Sequence, residues 1–129
     1  MIQAKPVRDF EDRETLLESI GLEASETELL FTVTDDKILH AFLLFAFVGD
    51  KARITRVISF PDCAAASLDL GIRAIVNTLD LTGVKEVFFE PKTDELSKIA
   101  KNIGFVPITP GEPDLVLDIP AFFKHPCQG

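Results

Sequence analysis

Eleven consecutive residues, Ile38 to Val48, carry a single polar side chain, His40, and include three phenylalanines. A segment this apolar cannot leave one face in water, and it falls short of the roughly 20 residues that cross a bilayer as a helix. It reads as the central strand of a sheet covered on both faces. The rest of the chain must then supply flanking strands and two covering layers. With 129 residues, 47% of them hydrophobic and 26% charged, it can build one core, and the expectation is one domain spanning 1–129.

The neighbouring segments fit that frame. Met1–Val7 suits a first strand. Asp9 can cap a helix running to about Ile20 with Phe10, Leu16, Leu17 and Ile20 on its apolar face, and Gly21 can end it. Leu29, Phe31 and Val33 alternate with polar residues as a half-exposed strand does, and Asp35-Asp36 supplies the turn into the central strand. Gly49-Asp50 turns the chain again into a strand over Ala52–Phe60, completing a three-stranded antiparallel meander. Pro61-Asp62 breaks that strand, with Asp62 as the expected cap of a helix that buries Leu68, Ile72, Ile75, Val76 and Leu79. Val84–Phe89 follows as a buried strand. Thr93 can cap a helix bearing Leu96, Ile99, Ala100 and Ile103, closed by Gly104. Phe105–Ile108 and Leu115–Ile119 form a final pair of strands, and the aromatic tail around Phe122-Phe123 is expected to dock. The fold class is α/β (α+β): a mixed, mostly antiparallel sheet of six or seven strands flanked by helices, in the order β-α-β-β-β-α-β-α-β-β.

Charge narrows the partners. Thirteen basic residues against 21 acidic ones give a net charge of −8, which disfavours phosphate backbones, so no nucleic-acid partner is expected. The imbalance is local: residues 1–28 hold eight acids and three bases, whereas Lys51, Arg53, Arg56 and Arg73 face only Asp62 and Asp69 within 51–73. An anionic ligand is expected near that middle stretch. No apolar segment of signal-peptide or membrane-spanning type occurs, so the expected location is cytoplasmic, with no membrane partner. Cys63 and Cys127 are then expected as reduced thiols.

Two segments carry a family resemblance. Ile99-Ala100-Lys101-Asn102-Ile103-Gly104-Phe105 resembles the penultimate helix of the GNAT acyl-CoA N-acyltransferases, and Gly71 to Leu79 resembles their cofactor helix. The order of elements is similar over nearly the whole chain. The resemblance implies a fourth strand splayed from the fifth, with acetyl-CoA or another acyl-CoA in the cleft. Val57, Ile58 and Ser59 would then pair with the pantetheine arm, while Gly71, Ile72 and Arg73 would meet the phosphates. The implied reaction is acyl transfer to a small amine, with Glu90 as base. The sequence departs from the family pattern at Leu68 and Arg73, which stand where a polar and a small residue are usual. It departs again at Ala100, which stands where a tyrosine acid is usual; the chain has no tyrosine. A non-catalytic GNAT-like binding or dimerisation module remains open beside the enzyme.

Other readings compete at single residues. Arg73 can clamp a phosphate or lie in a surface salt bridge. Cys63 can be a thiolate nucleophile near a helix start or inert packing. His40, Cys63, His125 and Cys127 lack the spacing of a zinc knuckle, so no metal is expected. Phe122-Phe123 can cover a sheet edge or meet a partner subunit, which makes a homodimer plausible.

Overall fold

The computed structural model describes residues Met1–Lys124. Its elements are β1 (Ile2–Val7), α1 (Phe10–Glu18), β2 (Glu28–Asp35), β3 (Ile38–Val48), β4 (Lys51–Ser59), α2 (Ala65–Leu81), β5 (Glu86–Phe89), α3 (Asp94–Ile103), β6 (Val106–Pro107), β7 (Leu115–Asp118) and α4 (Ile119–Lys124). Seven strands form one sheet in the order β1-β2-β3-β4-β5-β7-β6. Only β4 and β5 run parallel; every other neighbouring pair is antiparallel.

The apolar run is the strand its composition requires. On β3, Ala41, Leu43 and Phe45 enter the larger core beneath α2 and α3, while Phe42 and Leu44 pack on the opposite face with Leu17 of α1 and Leu30 of β2. Helix α2 contributes Leu68, Ile72, Ile75, Val76 and Leu79 to the larger core, as its periodicity predicts. Helix α3 is capped by the Thr93 side chain, which accepts from the Leu96 amide, and Gly104 ends it at φ 133°. The aromatic tail does dock on its own chain. Phe122 lies against the larger core, with the Arg73 guanidinium 5.8 Å from its ring centroid. Phe123 is partly exposed, and His125 and Cys127 lie outside the described residues.

Several local expectations are corrected. Asp62 does not cap α2. Phe60-Pro61-Asp62-Cys63 closes a turn through the Cys63 amide and the Phe60 carbonyl at 2.9 Å, and this delays the helix to Ala65. The N-cap is Ala64, which offers no side-chain acceptor. Ile20 is exposed, because α1 ends at Glu18 and only Leu17 and Arg13 are buried on it. β2 is buried on both faces in its middle, since Leu30 enters the α1-side core beside Phe31 and Val33 in the other. The β2–β3 turn centres on Asp36 and Lys37, both at positive φ, one residue later than expected. β6 shrinks to two residues between Phe105 and a proline-rich connection.

Gly71 is a packing residue. A Cβ placed there would lie 2.8 Å from Leu43 Cδ1 and 3.0 Å from Val33 Cγ2, so its absence sets how closely α2 approaches β2 and β3. Gly71→Val is expected to lower stability by about 1–3 kcal/mol through overpacking, whereas Arg73→Ala should change it by roughly 0.5 kcal/mol or less. Denaturant unfolding of both variants checks the contrast; an unchanged midpoint for Gly71→Val contradicts the packing account.

Candidate functional site

β4 changes partners part-way along its length. Its first half pairs with β5 in three rows, Ala52 with Val87, Arg53 with Phe88 and Ile54 with Phe89. β5 ends there, and Thr55–Ser59 continue with β3 on one edge and no strand on the other. The register slips at the same place: Phe45 pairs with Ile54 and Leu44 with Arg56, leaving Thr55 as the extra residue of a β-bulge. A bulge bends a strand and raises its twist, which turns β4 away from β5. It also exchanges the two faces. Ile54 lies in the α2-side core, Ile58 packs against the α1-side cluster, and Val57 takes over the α2 side.

Glu28 holds this bend. Its carboxylate accepts from the Thr55 hydroxyl and is forked by Arg56, with Nε at 3.1 Å and Nη2 at 2.7 Å. Arg56 Nη2 also donates to the Glu23 carbonyl at 3.0 Å. The Glu28 side chain keeps only 12% of its exposure, so the pair works with little solvent screening.

The residues that open the second wall come from the turn after β4 and the start of α2. Ala64, Ala65 and Ala66 are exposed, and no side chain caps the first-turn amides of α2. Ser67, behind them, is buried, with its Oγ 3.1 Å from His40 Nδ1. His40 is the extra residue of a second register slip, between Val33 and Thr34 on β2, and bulges re-aim side chains in this way. Cys63 is half-buried. Burial, then the nearby charge of Glu95, pushes its thiol above the ordinary value, which favours the packing reading over a thiolate.

The predicted site residues separate into groups. Val57, Ile58 and Ser59 do lie on the unpaired half of β4. Gly71 and Ile72 are buried on the inner face of α2, the glycine against Leu43 and Val33. Arg73 donates from Nε to Asp69 at 2.7 Å, one helical turn back, and lies over Phe122. Glu90 follows β5 directly, 43% exposed, and is held by Lys92 Nζ at 2.6 Å. Ala100 is fully buried on α3.

The cations of the basic middle stretch are paired. Lys51 pairs with Glu86, Arg53 with Asp114, Arg56 with Glu28 and Arg73 with Asp69, so each of its four cations has a carboxylate within 3.2 Å. Sequence reading saw the local excess of cations and Asp69, and missed the partners Glu28, Glu86 and Asp114 supplied by distant segments. The pair with most chemical character is Arg53–Asp114, a parallel fork at 3.0 and 2.9 Å. Asp114's hydrogen bonds hold the Arg53 guanidinium pKa up, and Arg53 in return holds Asp114 below the usual carboxylate range. The two residues lie 61 apart in sequence, and no local pattern joins them. Among the described residues no group of three or more His, Cys, Asp or Glu side chains is placed to hold a metal, and no helix is long and apolar enough to cross a membrane.

Glu28→Ala should cost about 1–3 kcal/mol, because it strands the half-buried Arg56 and frees the bulge. Unfolding midpoints together with the amide spectrum of Thr55–Ser59 read both effects. Unchanged stability and an unchanged β4 spectrum would contradict the role given to Glu28.

The sequence matches no family model and no curated protein. The fold does match solved structures. Over 92% of this chain and 94% of the other, it is similar to the ribosomal-protein-S18-alanine N-acetyltransferase from Escherichia coli, with a TM-score of 0.61 at 18% identity. A protein from Desulfovibrio desulfuricans assigned as a GNAT-family acetyltransferase gives a TM-score of 0.62 at 12% identity over 92% and 99% of the two chains. A mutant of the toxin AtaT, bound to the C-terminus of the antitoxin AtaR and acetyl-CoA, gives 0.66 at 12% identity over 98% and 99%. The AtaT–AtaR complex bound to DNA is also similar, with a TM-score of 0.64 at 10% identity over 95% and 97%. The expectation of no nucleic-acid partner therefore rests on charge alone and gains nothing from the fold. The strand order, the one parallel pair at β4–β5 and these likenesses agree: the chain has the fold of the GNAT acetyltransferases.

Proposed function

We propose that this chain binds acyl-CoA where β4 leaves β5 and transfers its acyl group to a small amine. The observation that carries the reading is the vacant edge of Thr55–Ser59, with the uncapped start of α2 following closely in the chain. An unpaired strand edge accepts an amide-bearing arm as an added strand, and pantetheine is such an arm. Free first-turn amides at the positive end of a 17-residue helix suit a pyrophosphate. The residues present fit this group through backbone donors, not through side-chain cations.

Bound acyl-CoA supplies a thioester carbonyl, which a neutral amine attacks with release of the thiol. The chain's own part is positioning, and a reaction of this kind gains most of its rate from alignment. Val57 and Ser59 offer edge amides and carbonyls, Ala65 and Ala66 offer amides, and Glu90 is the side chain proposed to receive the amine proton. Glu90 must first loosen its contact with Lys92, which lies on a surface-exposed segment.

A second reading has its own support. Ala100 is buried, Glu90 is ion-paired and the four cations of 51–73 are all matched, an arrangement that also suits a binding module without catalysis.

Calorimetric titration with CoA and acetyl-CoA at low salt, followed by thiol release across a panel of amines, separates the two. Micromolar binding is expected. Ala65→Pro should weaken it by roughly tenfold, since it deletes one amide donor while proline suits the first helical position. Ala64 is already extended, as a residue before proline must be (φ −85°, ψ 154°). Arg73→Ala should leave affinity unchanged. No binding at millimolar CoA sinks the proposal; binding without thiol release from any amine favours the module.

A further inference from the structure

Opposite α2, the α1-side cluster draws on β1, β2, β3 and the Ile58 end of β4. On that same face, Arg53, Phe88, Val116 and Val106 stand side by side across β4, β5, β7 and β6. They project away from the larger core, which takes their neighbours Ile54, Val87, Phe89, Leu115 and Leu117. A small cavity of about 190 Å³ opens there, lined by Val48, Lys51, Arg53, Phe88, Ile108 and Asp114. Its size is below the ~300 Å³ at which drug-sized ligands begin.

The lining has a definite chemistry. Phe88 has cations on its ring face, with Arg53 Cζ 5.5 Å and Lys51 Nζ 5.6 Å from the centroid. Val48 and Ile108 are 60% and 48% exposed and give the cavity an apolar wall. The Arg53–Asp114 fork stands at the rim with both side chains about one-third exposed. The fork uses two of Arg53's five N–H donors and one lone pair on each Asp114 oxygen, so both ends keep hydrogen-bonding capacity. A ligand complementary to this site has an apolar body and carries both an ammonium and a carboxylate, set head-to-tail against the fork. The row Arg53–Phe88 is also next to Ile54–Phe89, the last row before β4 and β5 part.

We propose that this cavity binds a free α-amino acid with an apolar or aromatic side chain: carboxylate on Arg53, ammonium on Asp114, side chain on Phe88, Val48 and Ile108. In the acyltransferase reading, on which this last step alone rests, that amino acid is the acyl acceptor. Its ammonium first gives a proton to Glu90; its nitrogen then forms the bond to the acyl carbon as the C–S bond breaks, and the departing thiolate takes the nitrogen's second proton to leave as the thiol.

Binding is read by NMR titration of the CoA-free protein with L-phenylalanine, phenethylamine and 3-phenylpropanoate. L-Phenylalanine is expected to shift the amides of Arg53, Phe88 and Asp114. The two analogues should bind roughly ten- to hundredfold more weakly, each having lost one charge-assisted partner. The double variant Arg53→Met/Asp114→Leu removes both poles without leaving an unpaired charge, and should abolish the preference; a melting curve confirms that it is folded. If it does not fold, the three-ligand series on the natural chain decides alone. Equal binding of phenethylamine, or no shift with L-phenylalanine at millimolar concentration, overturns the site. Because CoA is absent, failure here leaves the acyl-CoA reading untouched, and failure of CoA to bind leaves this site standing.

Discussion

The carboxylate of Glu28 fastens β4 at the one point where that strand changes partners. Thr55, the extra residue of the bulge, and Arg56, the next one, are both tied to it. Everything distinctive in the architecture follows from that anchor. Before it, β4 is an interior strand with β3 and β5 on either side; after it, β4 has one free edge. An unpaired edge inside a sheet is costly if its backbone groups find no partner, and a continuous strand would tend to close against its neighbour. The bulge prevents closure by bending the strand, and the ion pair holds the bulge. β5, only four residues long, cannot follow.

Electrostatics sharpens this picture. The chain is strongly acidic overall, yet its middle stretch of cations does not form a basic patch, because the fold brings a carboxylate to each. Solvent-exposed pairs of this type add little stability one by one. At the start of α2 they leave backbone amides as the donors that an anion would meet. Amides at a helix start are fixed partial charges that need no counter-ion when empty, and they survive in a protein whose net field repels anions.

Much of the fold was legible in the sequence. The apolar run Ile38–Val48 names the central strand, the spacing of Leu68 to Leu79 names the main helix, and Thr93 and Gly104 mark the ends of α3. What could not be read depends on contacts between distant segments. Asp62 has the right side chain for a cap, but the turn from Phe60 to Cys63 already uses the chain there. Gly71 looks like a phosphate-loop glycine in a string of letters; in the fold its missing Cβ is filled by Leu43 and Val33. The bulge at Thr55 leaves no composition signal at all, since a single inserted residue changes register and not pattern. Resemblance alone pointed to the β4 half of the candidate site, whereas the Glu28 anchor and the Arg53–Asp114 fork needed the sheet to be assembled.

The central claim is that the second half of β4 is an open edge built to take an extended, amide-bearing ligand. Amide hydrogen exchange of the whole chain with and without CoA tests it most directly. The account predicts that CoA slows exchange at alternate amides within Thr55–Ser59 and at Ala65 and Ala66, and leaves β2, β3 and α3 unchanged. Protection that is absent from β4, or that appears instead around Gly71–Arg73, would contradict it.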